Sequence, residues 1–180
     1  MTVPLIRPAD PDRDAAACAA IYAPHVDDSH ISFEDRAPDA TAMAARIERT
    51  QRAYPWVVAE RDGEVTGFAY ADTYKERPAY RWAAAVSVYV GDAERNRGTG
   101  RALYLELFDR LRRQNFRIAR AGITLPNPAS VALHHRLGFV EVGISRAIGW
   151  TAGAWRDVAL YQLDLAPPGE GPPPEPLPPG

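Results

Sequence analysis

Alternating and helical hydrophobic patterns divide most of the chain into short strands and helices. In the segment 86–90 valine recurs at every second position, as a half-buried strand requires. From about 99 to 114, Leu103, Leu107 and Leu111 recur every fourth residue, which predicts an amphipathic helix. The polar segment between them, 95–101, holds two glycines and three arginines. This strand, loop and helix form the unit around which the rest of the chain is arranged.

The patterns elsewhere predict the element order β-α-α-β-β-β-α-β-α-β-β, which indicates an α/β protein with a mixed, mainly antiparallel sheet. Strands are predicted at residues 2–7 (an edge strand), 56–59, 65–74, about 80–90, 117–124, about 139–148 and 155–165. The other helices are predicted from Asp10 or Asp12 to near Pro24, from Pro38 and Asp39 to Arg52, and from Asn127 and Pro128 to Gly138. Asp62-Gly63 predicts a tight hairpin, and 25–33 a loop.

Length and composition predict one domain followed by a tail. A chain of 180 residues is long enough to bury a substantial core, and residues 1–165 are expected to form it. After Ala166 the chain has eight prolines in fourteen residues. Residues 166–180 are therefore expected to be an extended tail without a packed element of their own.

Charge and cysteine content narrow the classes of function. The formal net charge of −2 gives no general attraction to nucleic acid or membranes. Cys18 is the one cysteine, so an intramolecular disulfide is impossible and a cysteine-based metal site is not expected. No apolar run is long enough for a membrane span and no signal-peptide pattern is present, so a cytoplasmic protein is expected. The basic residues at 95–101 point instead to a small anionic ligand.

The loop at 95–101 has the features of a phosphate site. Glycine lets the backbone approach a ligand closely, and the first N–H groups of a helix have no intrahelical partner. A Walker A loop is excluded, because Arg101-Ala102 stands where Lys-Ser/Thr is needed, and a dinucleotide fingerprint would need its third glycine at Leu103. The pattern that remains is Arg95-x-x-Gly98-x-Gly100, for which a simple turn with solvated arginines is an equally good interpretation.

A second motif favours the phosphate interpretation. The segment Asn127-x-x-Ser130-x-x-Leu133-His134-x-x-Leu137-Gly138-Phe139 follows at a suitable distance. Together the two motifs resemble the pyrophosphate loop and the pantetheine-lining segment of the GNAT superfamily of acyl-CoA N-acyltransferases. The resemblance implies a mixed sheet with helices on both faces.

Further segments are similar to the phosphinothricin and methionine sulfoximine acetyltransferases, over roughly residues 4–165. They are Ile21-Tyr22, Ser32-Phe33, 54–60, 67–70, Lys75-x-Arg77-x-x-Tyr80-x-Trp82, 87–90 and Trp155-x-Asp157-Val158. The resemblance implies transfer of an acetyl group from acetyl-CoA to a primary amine in a ternary complex, without a metal. It also implies a homodimer, for which Trp150 and Trp155 are candidate contacts.

The resemblance assigns candidate residues to both substrates. The expected acetyl-CoA site comprises the backbone of Val88, Tyr89 and Val90, the loop residues Arg95, Asn96, Arg97, Gly98, Thr99, Gly100 and Arg101, and the second-motif residues Asn127 and Ser130. The expected site for a small amino acid or analogue comprises Phe33, Lys75, Arg77, Tyr80, Ala85, Ser87 and Tyr89, with Tyr104 as a further candidate. An arginine suits a carboxylate or a phosphinate, although exposed loop charges would look the same in the sequence.

His134 is the candidate catalytic residue. It stands where the subfamily carries a histidine near the sulfur, and an imidazole can serve the amine or the thiolate. Helical spacing sets His134 three residues from Val131 and Leu137, and His135 is rotated by about 100° away from it. A surface imidazole, or His135 in the same role, remains an alternative.

One residue departs from the subfamily pattern. Ala85 stands where the subfamily has a glutamate proposed as general base, and alanine cannot move a proton. Glu34, or water leading to His134, is the candidate replacement. The departure leaves two alternatives open, namely an enzyme for another amine such as a peptide N-terminus or an aminoglycoside, and an acyl-CoA-binding sensor without turnover.

Overall fold

The chain forms one seven-stranded sheet with four helices. A computed structural model describes residues 4–180, so Thr2 and Val3 of the predicted first strand lie outside the described part. The strands are β1 Leu5–Pro8, β2 Trp56–Arg61, β3 Glu64–Thr73, β4 Ala83–Val90, β5 Ile118–Thr124, β6 Val140–Thr151 and β7 Ala154–Asp164. The helices are α1 Pro11–Asp27, α2 Ala40–Gln51, α3 Thr99–Arg113 and α4 Pro128–Arg136. The element order is the one predicted.

The sheet is mixed and mainly antiparallel, as expected. Its strand order is β1-β2-β3-β4-β5-β7-β6, with β1 at one edge, and the β4–β5 pair is parallel. Asp62 and Gly63 both have positive φ and close the tight hairpin between β2 and β3.

Helices cover both faces of the sheet, which confirms the predicted layering. Because side chains alternate along a strand, Val57 and Ala59 of β2 join the core beneath α3, and Trp56 and Val58 join the core beneath α1 and α2. The leucines predicted for the buried face of α3 are fully buried. Within residues 4–180 no helix has the length and apolarity that a membrane span needs.

Two predicted boundaries are wrong. The first helix does not stop near Pro24 but continues to Asp27, with His25 in its last turn. Tyr22 and Val26 are buried on either side of the proline, so packing holds the helix beyond it. The fourth strand begins at Ala83 rather than near Tyr80, because Pro78–Tyr80 forms one 3-10 turn.

Residues 167–180 contain no helix or strand, and hydrogen bonds hold them against the body of the protein. The Trp82 indole donates to the Pro174 carbonyl over 2.8 Å, and Arg81 pairs with Glu175. Leu177 and Gln114 form two hydrogen bonds. The Leu177 N–H donates to the Gln114 backbone carbonyl, and the Gln114 side-chain amide donates to the Leu177 carbonyl. The tail therefore contacts the β3–β4 loop and the end of α3.

Candidate active site

The parallel strands β4 and β5 separate to form a wedge in the sheet. They pair only at Ala83, Ala84 and Ala85, opposite residues 118–120. Beyond that point β4 stays paired with β3 as far as Val90, and β5 stays paired with β7 as far as Thr124. The side of β4 that faces β5 from Val86 to Val90 therefore has backbone groups without a sheet partner, available to a ligand.

The loop at the wide end of the wedge has the backbone shape of an anion site. Asn96 has φ +60° and Gly98 has φ +84°, and Gly98 is the N-cap residue of α3. No side chain caps this helix, so its first N–H groups are left for a ligand. The predicted phosphate loop is thus placed directly beside the end of β4.

Glu94, which the sequence analysis did not single out, fixes this loop from beneath. Its buried carboxylate accepts hydrogen bonds from the Thr99 hydroxyl at 2.8 Å, from Arg61 at 3.0 Å and from Arg97 at 3.3 Å. The hydrogen bond from Arg61 is the main reason that the pKa of the Glu94 carboxyl lies below its usual value. Thr99 is consequently buried.

The remaining arginines of the loop lie at the surface. Arg95 pairs with Asp92 at 2.7 Å, and both side chains are largely exposed. Arg101 is also exposed, one residue beyond Gly100 in the first turn of α3. These guanidinium groups surround the loop without filling it.

Gly100 brings the two sequence motifs together. A Cβ at this position would lie 3.3 Å from a methyl group of Leu133 on α4, 3.6 Å from one of Val90 and 3.9 Å from one of Val88. The start of α3, the end of β4 and α4 therefore meet at one point. The hydrogen at Gly100 is what permits this close approach.

The polar residues of the second motif, Asn127 and Ser130, form hydrogen bonds within α4. Asn127 caps the helix, its side chain accepting from the Ser130 N–H at 3.1 Å. The carbonyl of Ser130 accepts from Nδ1 of His134 at 2.8 Å, and its hydroxyl lies 3.4 Å from the same nitrogen. Both residues line the start of the helix beside the wedge, and both side chains have structural partners.

His134 is buried, and both of its ring nitrogens have partners. With Nδ1 donating to Ser130, Nε2 accepts from the hydroxyl of Tyr104 at 3.1 Å. Burial lowers the pKa of His134 below its usual value, so the imidazole is neutral at pH 7. His135 is exposed, as helical spacing predicts. Tyr104 lies in the core under α3 and not among the acceptor residues, because its ring packs against Phe108 and His134.

The other face of β4 looks toward α1 and α2. Ala83, Ala85, Ser87 and Tyr89 alternate with Ala84 and Val86, which belong to the core beneath α3. Tyr89 packs edge-on against Tyr22, with ring centroids 4.8 Å apart.

Tyr89 also lines a cavity of about 350 Å³ between α2 and the sheet. The other lining residues are Tyr22, Glu34, Met43, Arg46, Arg49, Thr50, Trp56, Phe68, Tyr70 and Asp72. Aromatic walls with charges of both signs suit a small zwitterion.

The other predicted acceptor residues lie outside this cavity. Lys75, Arg77 and Tyr80 line a separate open hollow in the β3–β4 loop, together with Glu76. The Lys75 ammonium lies over the Tyr80 ring, 5.0 Å from its centroid. The structure therefore does not bring the basic pair and Tyr89 to one surface.

Phe33 approaches from the loop after α1. Thr124 at the end of β5 donates to the carbonyl of Ile31 at 3.0 Å, which holds this loop against the sheet. The Phe33 ring then lies on Gly149 of β6 so closely that a Cβ there would overlap it. Phe33 is 44% exposed, and the next residue, Glu34, lines the cavity.

Glu34, the carboxylate expected to replace the glutamate absent at Ala85, is already engaged. It forms two hydrogen bonds with Arg46, at 2.7 and 2.6 Å, and accepts from Tyr22 at 2.8 Å. Arg46 lowers the pKa of Glu34. A carboxylate held in this way is a poor acceptor of a further proton.

Comparison with known proteins agrees with this geometry. The family model described as an acetyltransferase (GNAT) domain matches residues 8–160. A phosphinothricin N-acetyltransferase of Streptomyces viridochromogenes is 38% identical over 96% of this chain and 92% of its own length. An L-methionine sulfoximine/L-methionine sulfone acetyltransferase of Salmonella typhimurium is 36% identical over 84% of this chain and 90% of its own.

A solved structure extends the likeness to three dimensions. The phosphinothricin acetyltransferase of Sinorhizobium meliloti, in complex with acetyl-CoA, matches with a TM-score of 0.87 and 34% identity, covering 94% of this chain and 95% of its own. In the described part of the chain no three His, Cys, Asp or Glu residues are grouped as metal ligands. The wedge, the uncapped loop and the family match lead to one conclusion: the chain belongs to the GNAT acetyltransferase family.

Proposed function

We propose that this protein transfers an acetyl group from acetyl-CoA directly to the primary amine of a small amino acid or analogue of the phosphinothricin and methionine sulfoximine type. The observation that carries the proposal is the meeting of loop, wedge and α4 at Gly100, on the opposite side of the sheet from a cavity with charges of both signs. The chain is an acetyl-CoA-dependent acyltransferase by family, and the acceptor is the part proposed.

The proposed contacts with acetyl-CoA are made by backbone groups of α3 and β4 that have no partner within the described part of the fold. The N–H groups at the start of α3, with Asn96 and Gly98 shaping the loop, hold the pyrophosphate. The freed backbone of Val88, Tyr89 and Val90 runs along pantetheine. An N–H there donates to the thioester carbonyl as its oxygen gains charge. Arg95, Arg97 and Arg101 supply positive charge around the phosphates. Asn127 and Ser130 place the first turn of α4 beside the pantetheine arm.

The chemistry is a substitution at the thioester carbon. The amine nitrogen forms a bond to that carbon, the carbon–sulfur bond breaks, and the sulfur leaves as a thiolate. The nitrogen loses its extra proton in the process. We assign the proton that the nitrogen loses to His134, whose neutral imidazole keeps Nε2 as its acceptor atom, hydrogen-bonded to the Tyr104 hydroxyl.

The acceptor site combines the cavity with the residues at its rim. Ser87 and Tyr89 form its floor on β4, Ala85 leaves space beside them, and Phe33 covers the side next to β6. Lys75, Arg77 and Tyr80 line the separate hollow of the β3–β4 loop, so Arg46 and Arg49 are the cationic side chains that the cavity itself offers to the acidic end of the acceptor. Arg46 and Arg49 in the cavity wall disfavour a polycationic aminoglycoside. The named N-acetyltransferase relatives leave the sensor hypothesis without support.

Release of free CoA from acetyl-CoA tests the proposal, measured over a panel of amino acids, phosphinothricin, methionine sulfoximine and methionine sulfone. We expect turnover with at least one of these amines and a tolerance to phosphinothricin in bacteria that express the protein. Calorimetric binding of acetyl-CoA without turnover of any of them contradicts the proposed acceptor class. In the same assay His134→Ala is expected to lower kcat, with His135→Ala as the matched control on the same helix.

We also propose a homodimer through the β6–β7 hairpin. Trp150 and Trp155 pair across the two strands and are 62% and 63% exposed, and Ile148 beside them is 61% exposed. An apolar surface of this kind is typical of an interface. Light scattering after gel filtration is expected to give twice the chain mass, and Trp150→Glu with Trp155→Glu to give the monomer.

A further inference from the structure

The cavity-facing side of β4 carries no group that can hold an ammonium ion strongly. Its members are Ala83, Ala85, Ser87 and Tyr89, and none has a carboxylate. The neighbouring strand β3 supplies one, because Asp72 lies directly opposite Ala85 in the antiparallel register. Residues paired in this way project from the same face of the sheet, with Cβ atoms about 5 Å apart. Asp72 also lines the 350 Å³ cavity.

We propose that Asp72 is the carboxylate that receives the ammonium group of the acceptor amino acid. This inference rests on the proposed function, since it names the group that recognises the amine in that reaction. In this proposal the negative charge of the acceptor site lies on β3. The neighbouring strand β4 carries Ala85 at the position where the subfamily has a glutamate.

The neighbours of Asp72 leave it free for this task. One carboxylate oxygen accepts the backbone N–H of Thr73 at 2.7 Å. Among residues 4–180 no cationic side chain forms an ion pair with it. Glu34, the other carboxylate of the cavity lining, is neutralised by its two hydrogen bonds with Arg46. An ammonium ion entering the cavity therefore finds its uncompensated negative partner at Asp72.

The charges around Asp72 fit the other end of an amino acid. Arg49 lines the cavity from α2, and the described part of the chain offers it no ion-pair partner. Arg46, which hydrogen-bonds to Glu34, lines the same cavity. A carboxylate, phosphinate or sulfone oxygen of the acceptor thus has cationic groups nearby while its ammonium faces Asp72.

The position of Asp72 also gives the amine proton an exit. Asp72 is exposed at the rim of the cavity, so water has access to it. The ammonium must lose its first proton before the nitrogen can attack, and that proton passes by way of this carboxylate to bulk water, whereas the second proton, lost after attack, is the one assigned to His134. Ala85 adds only a methyl group to this face of the sheet beside Asp72.

The experiment measures binding first, so that it does not depend on turnover. Methionine sulfone and its analogue without the amino group are titrated calorimetrically into the CoA-saturated protein, for wild type and for Asp72→Asn. We expect Asp72→Asn to weaken binding of the amino acid about 10- to 100-fold, as loss of a charged hydrogen bond does. Binding of the analogue without the amino group is expected to stay unchanged. Glu64→Gln, an exposed carboxylate at the other end of β3, is the matched control.

A relocated carboxylate provides the second measurement. The double variant Asp72→Asn with Ala85→Glu places a carboxylate on β4, directly opposite position 72. We expect this variant to regain most of the lost affinity and kcat/KM. Affinity of Asp72→Asn within twofold of wild type, equal weakening of both ligands, or no binding of the amino acid to wild type overturns the proposal. Asp72→Ser replaces Asp72→Asn if the latter melts at a clearly lower temperature. Amino-acid binding that depends on Asp72 without CoA release supports the inference and contradicts the proposed function instead.

Discussion

The Tyr104 hydroxyl lies 3.1 Å from Nε2 of His134, and this contact joins α3 to α4 inside the core. The helix that begins at the phosphate loop is thereby tied to the helix that carries the second motif. The geometry also fixes the tautomer, because Nδ1 donates to the Ser130 carbonyl and Nε2 is left as an acceptor. Any change to this pair is expected to affect stability and proton transfer together.

Tyr104→Phe tests the contribution of the hydroxyl. The variant leaves Nε2 of a buried imidazole without a partner, so we expect a loss of about 1–3 kcal/mol in the free energy of unfolding. Urea unfolding measures this loss. A fall in kcat larger than the fall in acetyl-CoA affinity is expected if the pair moves the proton. Unchanged kcat in a folded variant contradicts that role. Tyr54→Phe, in which the removed hydroxyl makes an exposed hydrogen bond of 3.3 Å to Thr73, is the matched control.

Two histidines, His134, which is buried, and His25, which is half-buried, predict how stability depends on pH. Burial lowers the pKa of His134 and of His25 below the usual 6.5. As the pH falls below that value the unfolded chain takes up protons before the folded chain does, so stability is full above it and decreases toward the lower folded pKa. Melting temperatures between about pH 5 and 8 are expected to show this decrease.

His134→Gln is expected to flatten the curve in part, with His25 and the carboxyl groups of lowered pKa, Glu34 and Glu94, accounting for the remainder. His135→Gln, in which an exposed imidazole is removed from the same helix, serves as the control. An identical slope for His134→Gln and wild type contradicts the assignment, whatever the absolute stability of the variant.

Glu94→Ala tests the support of the phosphate loop. It removes the shared acceptor of Thr99, Arg61 and Arg97, and breaking a buried ion pair in this way costs about 3–5 kcal/mol. Thr99→Val, which removes one hydrogen bond, is expected to cost about 1 kcal/mol. Calorimetry is expected to show weaker acetyl-CoA binding by Glu94→Ala at a temperature where the variant is folded. If folded Glu94→Ala binds acetyl-CoA with the affinity of wild type, the loop does not need the Glu94 carboxylate.

Gly149→Ala tests the proposed role of Phe33 in the acceptor site. The added methyl group overlaps the Phe33 ring, which must swing away because it is the movable partner. We expect a several-fold higher KM for the amine and unchanged acetyl-CoA affinity, with little effect on melting because Phe33 is 44% exposed. In a Phe33→Ala background the same substitution is expected to have no further effect. An equal increase in KM in both backgrounds assigns the effect to the β6 backbone instead.

Local patterns predicted most elements of this fold because their signals lie within a few residues. The leucine repeat of α3, the Asp62-Gly63 turn and the Asn127 cap each depend on neighbours in the sequence, and each is confirmed. Pro24 misled the prediction because a local helix-breaking signal was outweighed by packing of Tyr22 and Val26 against the sheet. The tail likewise has no local pattern that indicates its contacts with Trp82 and Gln114.

The sequence by itself predicted the donor side, since the proposed phosphate loop and the α4 motif are contiguous segments with fixed spacing. It also determined that position 85 lacks a carboxylate. Only the tertiary structure decided which groups occupy that neighbourhood, because strand register brings Asp72 beside Ala85 across thirteen residues of chain. The same holds for Glu94 under the loop and for Glu34 bound by Arg46, whose roles follow from partners distant in sequence. Burial and pairing, which set the charge available to a substrate, are properties of the folded chain and not of any segment.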